Sequence, residues 1–327
     1  RKGDAIILRT SKICNLKPRA IRWREKQRLF MHDFPPPAQH YEYSIPQNIP
    51  ADLWERLKNC VYSYDPSIAI DDSNVMVLGE SSEQNIFLVQ VTPPFVVKLY
   101  NDTHPKSYLL NICLMYENAA EQNVAPHVWY CDIHYFGIIM EFVFPQTNRS
   151  ESVFEAISLL KKFHKPINNE PFTTIHKRVE EILKHDIKHA PQIKKAHERL
   201  KKIESMITPV TTLCHFDFHR GNFITTEGRT YLIDFDDAGY GHPFYDIAKF
   251  TLLDKSLTHD QILQTYLERD PTDEERNLMN LMVQVAHLSS ATNRTLRWIK
   301  GGFTSTKLLK ESQEALDRFM ENTLAFE

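Results

Sequence analysis

Three residues pose the chemical question: Asp217, Asn222 and Asp234, all within LCHFDFHRGNFITTEGRTYLIDFDD, which starts at Leu213. His215, Asp217 and Asn222 fit the pattern H-x-D-x-x-x-x-N, and twelve residues past Asn222 the apolar run Tyr231 to Ile233 delivers Asp234. A carboxylate, a neutral amide and a second carboxylate at these offsets suit phosphoryl transfer. That reaction needs one carboxylate at the acceptor hydroxyl, while an amide oxygen and another carboxylate hold Mg²⁺ against the phosphates. Asp217 fits the first role, orienting the hydroxyl and accepting its proton. Asn222 and Asp234 fit the second, and His215 reads as a brace for the loop. Glu227 and Gly228 provide the turn of a hairpin between the two halves.

Such side chains need a frame. Ala51 to Tyr64 reads as a helix, followed by short β-rich runs from Val75 to Leu78, Ile86 to Val91 and Phe95 to Tyr100. A helix from Lys106 to Gln122 comes next, then strands from Val128 to Cys131 and Gly137 to Val143. From Glu151 onward helices dominate, including Arg178 to His185, Lys194 to Met206, Asp260 to Leu267 and nearly everything from Thr272 to Asn322. The one β interruption there is Leu213 to Phe235. The expected division is a basic arm and Pro-rich linker over residues 1–50, a small β-rich lobe over 51–143 and a helical lobe over 144–327.

The segment from His215 to Asp246 resembles the aminoglycoside phosphotransferase and choline kinase superfamily, through the family's H-G-D-L-H-x-G-N loop, its I-D-F/W-D/E strand end and a D-[IL]-A helix, here Asp246, Ile247 and Ala248. Phe216 stands where glycine is usual, Phe218 where leucine is, and Arg220 where proline is frequent; no metal ligand is lost. The resemblance implies an α+β, bilobal protein-kinase-like fold, with a small β-rich N-lobe and a larger, mostly helical C-lobe. It implies ATP and Mg²⁺ as cofactors and transfer to a hydroxyl of an amino-alcohol, aminoglycoside or sugar-like molecule. A protein kinase-like enzyme acting on a protein partner and a nucleotide-binding pseudokinase are the rival readings.

Within FVVKLY, Lys98 lies inside an apolar strand, where an unpaired ammonium is costly. By the resemblance it contacts the α- and β-phosphates and pairs with a glutamate of the next helix, for which Glu117 is the candidate. Gly79, Ser81 and Ser82 in the turn GESSEQN would cover the phosphates, and backbone groups near Glu141 and Val143 would hold adenine. Asp246 is expected to brace the catalytic loop. Asp236, Asp237 and Tyr240, with Tyr245, Tyr266 and Trp298, are candidate acceptor-lining groups; aspartates with aromatics would suit a cationic amine. The same residues serve equally as support for a metal and as core.

Composition is ordinary for a folded chain, with 25% charged and 42% hydrophobic residues and a net charge of −3 over 327 residues. That charge is uneven: residues 1–30 carry +8 and the remainder −11. The basic arm would contact an acidic partner or the protein itself, and no nucleic-acid motif accompanies it. Five scattered cysteines without a CxxC pair suggest a reducing, cytoplasmic setting. No apolar run reaches the roughly 18 residues of a membrane span, and the first residues lack a signal peptide's apolar core. His185 and His189, spaced as on one helix, lack a third metal ligand. Gly301, Gly302 and Lys307 fail the phosphate-loop pattern, because Thr306 stands where glycine is needed.

Overall fold

The computed structural model describes residues 49–80, 84–101, 105–145, 152–166, 173–207, 210–226 and 228–321. The basic arm, Ser81 and Ser82 lie outside the described residues. The chain divides into two compact units, and the division is discontinuous: the first runs to Glu117 and resumes at His127–Phe142, while the second takes Asn118–Pro126 and everything from Val143.

The first unit holds helix α1 (Ala51–Tyr64), strands β1 (Val75–Glu80), β2 (Gln84–Val89) and β3 (Phe95–Tyr100), most of helix α2 (Lys106–Glu121), and strands β4 (Val128–Asp132) and β5 (Gly137–Glu141). The strands form one antiparallel sheet in the order β1-β2-β3-β5-β4. Alternation along β3 decides what faces what. Phe95, Val97 and Leu99 enter a core with Leu57, Cys60 and Val61 of α1 and Val75, Phe87, Val89 and Ile139 of the neighbouring strands. Lys98 belongs to the opposite face. Gly137 is glycine for want of room, since a Cβ there would come 2.5 Å from the Cys60 sulfur and 3.0 Å from Leu99.

The cysteine reading needs one correction. Cys113 of α2 and Cys131 of β4 form a disulfide, while Cys60 and Cys214 are free and buried. The two partners lie on different elements, 18 residues apart, so no local spacing could announce them.

The second unit contains helices α3 (Ser152–Phe163), α4 (Thr173–Ile182) and α5 (Ala190–Met206), strands β6 (Thr212–Cys214), β7 (Phe223–Thr225), β8 (Thr230–Leu232) and β9 (Gly239–Gly241), and helices α6 (Phe244–Leu253), α7 (His259–Leu267), α8 (Asp273–Lys300) and α9 (Thr306–Glu321). Two short antiparallel pairs, β6 with β9 and β7 with β8, lie among these helices. The helix starts are marked in sequence: Thr258 with Gln261 and Thr272 with Glu275 form complete capping boxes. The long stretch from Thr272 is two helices rather than one, because Gly302 adopts φ +67° and turns the chain between α8 and α9. His185 and His189 do not share a helix either; α4 ends at Ile182, and His189 is the residue that caps α5. Among the described residues no helix is long and apolar enough to cross a membrane.

Candidate active site

The residues of the candidate loop from His215 to Asn222 are set by backbone first. β6 ends at Cys214, and Asp246 of α6 then receives the next two amides: Oδ2 accepts the His215 N–H at 2.6 Å and Oδ1 the Phe216 N–H at 2.7 Å. Oδ2 also lies 2.9 Å from His164 Nε2, and Asp246 is wholly buried. This is the brace expected of Asp246. His215 adds a second tie, its Nε2 donating to the Ile233 carbonyl at 2.8 Å while its ring packs on Phe235. His164, Asp246 and Cys214 cluster closely enough to suggest a metal. Their polar atoms are already engaged with the loop amides, with the Tyr266 hydroxyl 2.8 Å from His164 Nδ1, and with the His242 carbonyl 3.5 Å from the Cys214 sulfur.

Between these ties Phe216 takes φ +65°, the left-handed region that explains why glycine is usual here. The ring compensates by burial. It lies 4.6 Å from the Tyr245 ring and directly over β9, where a Cβ on Gly241 would meet it at 3.1 Å. Phe218 is wholly buried against Phe250, and Arg220 pairs with Asp254 and Ser256 beyond the end of α6.

Asp217 follows, held on one side only. The Asn222 side-chain N–H₂ donates to the Asp217 carbonyl at 2.9 Å and to Oδ2 at 3.2 Å. His219 Nδ1 accepts the Gly221 N–H, which leaves Nε2 as the donor toward the same Oδ2, at 3.3 Å. The other oxygen, Oδ1, has Lys249 Nζ at 3.8 Å. Burial pushes the Asp217 carboxyl up, but the His219 hydrogen bond and the charges of Lys249, His219 and His215 outweigh it and hold the pKa down at about 2.

The hairpin brings Asn222 and Asp234 together as the spacing predicts. Phe223 pairs with Leu232, and one step further the Ile233 N–H donates to the Asn222 carbonyl at 2.9 Å, so Asp234 is the next residue after Asn222's partner. Asp234 adopts φ 64°, ψ 62°, a left-handed turn that ends the strand. Because the Asn222 N–H₂ group is committed to Asp217, its side-chain oxygen is the atom it can offer a cation. An amide oxygen and a carboxylate are hard donors of the kind Mg²⁺ takes.

In the first unit Lys98 is 3% exposed, flanked across the sheet by Ile86 and Ile138. Its ammonium reaches the Tyr116 hydroxyl at 3.3 Å and lies over the Tyr100 and Tyr116 rings at 5.5 and 5.6 Å. Glu117 is the next residue on α2, half-buried. The Glu141 N–H donates to the His127 carbonyl at 2.8 Å, and Val143 is buried. Gly79 sits at a register shift between β1 and β2.

Of the acceptor candidates, Asp237 is ion-paired with Arg178 of α4 at 2.9 Å, Asp236 is half-buried and Tyr240 lies half-buried on β9 opposite Leu213. Tyr245 and Tyr266 are core residues. Sequence reasoning passed over His219, Arg178 and Lys249. His219 stood within the loop already quoted, and Lys249 carried a signal like that of Lys98, a cation inside the apolar run Ile247 to Leu253.

The sequence profile of the phosphotransferase enzyme family matches residues 76–276, well over half the chain, and the chain belongs to that family. It is therefore a phosphotransferase. The fold is similar to that of a choline/ethanolamine kinase family protein from Mesorhizobium loti, at 14% identity and TM-score 0.65 over 83% of this chain and 95% of that one. Choline kinase LicA from Streptococcus pneumoniae gives 18% identity and TM-score 0.61, over 81% and 99%. The aminoglycoside phosphotransferase APH(2'')-IIa, in its ternary complex with streptomycin and ATP, gives 14% and 0.57, over 83% and 97%. A comparison with curated protein sequences finds no significant match.

Proposed function

We propose that this phosphotransferase uses ATP and Mg²⁺ to phosphorylate a hydroxyl of a small molecule, with Asp217 as the catalytic carboxylate. The observation that carries the reading is the linked set Asp217, Asn222 and Asp234: one amide side chain bonds Asp217, and its backbone carbonyl bonds the residue next to Asp234. This linkage supports reading a proton acceptor and two hard oxygen donors on one hairpin and its loop.

Asp217 holds the acceptor hydroxyl through Oδ1 and takes its proton as the oxygen–phosphorus bond forms and the bond from phosphorus to the departing ADP oxygen breaks. A carboxylate with a pKa near 2 is a weak base. That is sufficient where the transition state is loose and the proton leaves late, so orientation is the larger part of its contribution. Asn222 and Asp234 would hold Mg²⁺, which when bound neutralises charge on the phosphates. Lys98 would meet the α- and β-phosphates, with Glu117 as its partner, and backbone groups near Glu141 and Val143 would hold adenine. The streptomycin–ATP complex of a protein with the same fold supports the choice of nucleotide.

The test is ATP consumption by the full chain with Mg²⁺ against alcohols, sugars, amino-alcohols and hydroxy acids. Asp217→Asn is expected to lower turnover by roughly 10²- to 10⁴-fold with an unchanged circular dichroism spectrum. Equal consumption by wild type and Asp217→Asn with every acceptor would reject the assignment.

A further inference from the structure

We propose that Lys249 reads the acceptor, and that the acceptor is a hydroxy acid: a small molecule whose reacting hydroxyl lies within a few bonds of a carboxylate or phosphate group. The inference rests on the phosphotransferase reading and narrows its substrate class.

The two oxygens of Asp217 are unequal. Oδ2 is occupied by the Asn222 amide at 3.2 Å and faces His219 at 3.3 Å, which places it on the side of the expected metal ligands. Oδ1 is the oxygen left for a hydroxyl, and the charged group beside it is Lys249 Nζ at 3.8 Å. That separation is too long for a hydrogen bond. A substrate oxygen lying against both groups would close it.

Lys249 has donors to spare. Its neighbours on α6, Ala248 and Phe250, are wholly buried, and its own side chain is 12% exposed. An ammonium carries three N–H donors, yet the contacts it makes among the described residues are Ser290 Oγ at 3.4 Å and the long approach to Asp217. Burial lowers its pKa, while Asp217 and Asp237 act to keep it charged. A nearly buried cation so thinly bonded is costly unless a ligand completes it.

Apart from Asp217, the charged groups acting on Lys249 are already paired. Arg178 pairs with Asp237 at 2.9 Å and Arg294 with Glu311 at 3.2 Å. A cationic acceptor would therefore find these carboxylates neutralised and Lys249 facing it, whereas an anionic group meets an ammonium with open donors. Asp237, an expected partner for an amine, is the residue whose charge Arg178 cancels.

Initial rates and thermal-shift titrations of the full chain would test this with four acceptor sets: hydroxy carboxylates (glycerate, gluconate), hydroxy phosphates (glycerol 3-phosphate, glucose 6-phosphate), neutral polyols (glycerol, glucose) and amines (choline, ethanolamine). Wild type should show its highest kcat/KM, and a raised melting temperature, with one of the two anionic sets; which one separates carboxylate from phosphate recognition. Lys249→Met should lower kcat/KM for that set by about 10- to 100-fold, the loss of a charge-assisted hydrogen bond. The loss should fall mainly on KM, the thermal shift should vanish, and Lys249→Arg should restore part of both. The proposal is overturned if choline or ethanolamine is the best wild-type acceptor, if no anionic compound shifts the melting temperature, or if Lys249→Met lowers kcat on all four sets in proportion. Lys249-dependent binding of anions without transfer to any of the four sets would overturn the assignment of the anion as acceptor, while loss of turnover with every acceptor and no anion binding would reject the catalytic reading itself.

Discussion

Asp246 Oδ1 accepts the backbone N–H of Phe216 at 2.7 Å, and between His215 and Asn222, Phe216 is the one residue whose conformation its own side chain resists. A left-handed φ costs a non-glycine residue roughly 1–2 kcal/mol. The carboxylate and the buried ring together outweigh that cost and leave Asp217 aimed by a rigid turn.

Replacing the brace should therefore be severe. Asp246→Ala strands two buried N–H groups and unpairs His164, and a loss of about 3–5 kcal/mol is expected. Urea denaturation would show it as a lowered midpoint with an unchanged slope. A loss below about 1 kcal/mol would mean that the two amides find other acceptors.

The fit of Phe216 over Gly241 makes a coupled prediction. Gly241→Ala alone should destabilise the fold, because its Cβ meets the Phe216 ring at 3.1 Å. Phe216→Gly alone relieves the backbone but empties a buried slot; large core truncations cost about 3–5 kcal/mol, so a net loss is expected. In the double variant the Gly241→Ala penalty should shrink or vanish. Additive losses in the double-mutant cycle would show that the ring is not what keeps β9 free of side chains.

Two histidines are expected to make stability depend on pH. Burial, then the nearby His164 charge, lowers His242 to about 4; burial, then the charges of Arg318, Lys255 and Arg294, lowers His287 to about 4. Both folded values lie below the unfolded value of about 6.5, so the unfolded chain binds more protons between those limits. Their contribution is complete above about pH 6.5 and is lost as pH falls toward 4. Melting temperature should drop across that window in wild type, and less steeply in the His242→Gln, His287→Gln double variant. Parallel curves would remove these two groups as the cause.

The disulfide gives a thiol count. Of five cysteines, the Cys113–Cys131 pair leaves three thiols, of which Cys60 and Cys214 are buried. Burial raises both of their pKa values, so native labelling should be slow at each. Denatured, unreduced protein should take up three alkylating groups by mass, and reduced protein five. Five without reduction would mean that the pair stays as thiols, as a reducing compartment favours.

The parts legible in sequence were those fixed by local pattern. The five strands of the first unit fall where β-rich runs between polar turns put them, and β3 matches Phe95 to Tyr100 residue for residue. The loop, the hairpin and Asp234 were legible because a hairpin register follows from turn length. β9 was not: Gly239–Gly241 has no β-branched residue, and its small size answers the Phe216 ring, a tertiary constraint. Lys249 and Arg178 escaped for a similar reason, since helix packing, not spacing, brings them near Asp217 and Asp237. The break at Gly302 shows in sequence as a glycine pair that fails the phosphate-loop pattern, and its place at a helix end follows from its positive φ.

The discontinuous division of the chain limits how the protein can be taken apart. Val124, in the short stretch assigned to the second unit, accepts the Leu232 N–H at 2.8 Å, and Asn123 accepts Arg229 through its carbonyl. Those two carbonyls steady the hairpin that bears Asn222 and Asp234, yet they precede β4 and β5 in the chain. A fragment begun at Val143 would leave them behind, and one ended at Phe142 would carry them away from the strand they serve. No single cut separates this chain into its two units with each keeping its own hydrogen bonds.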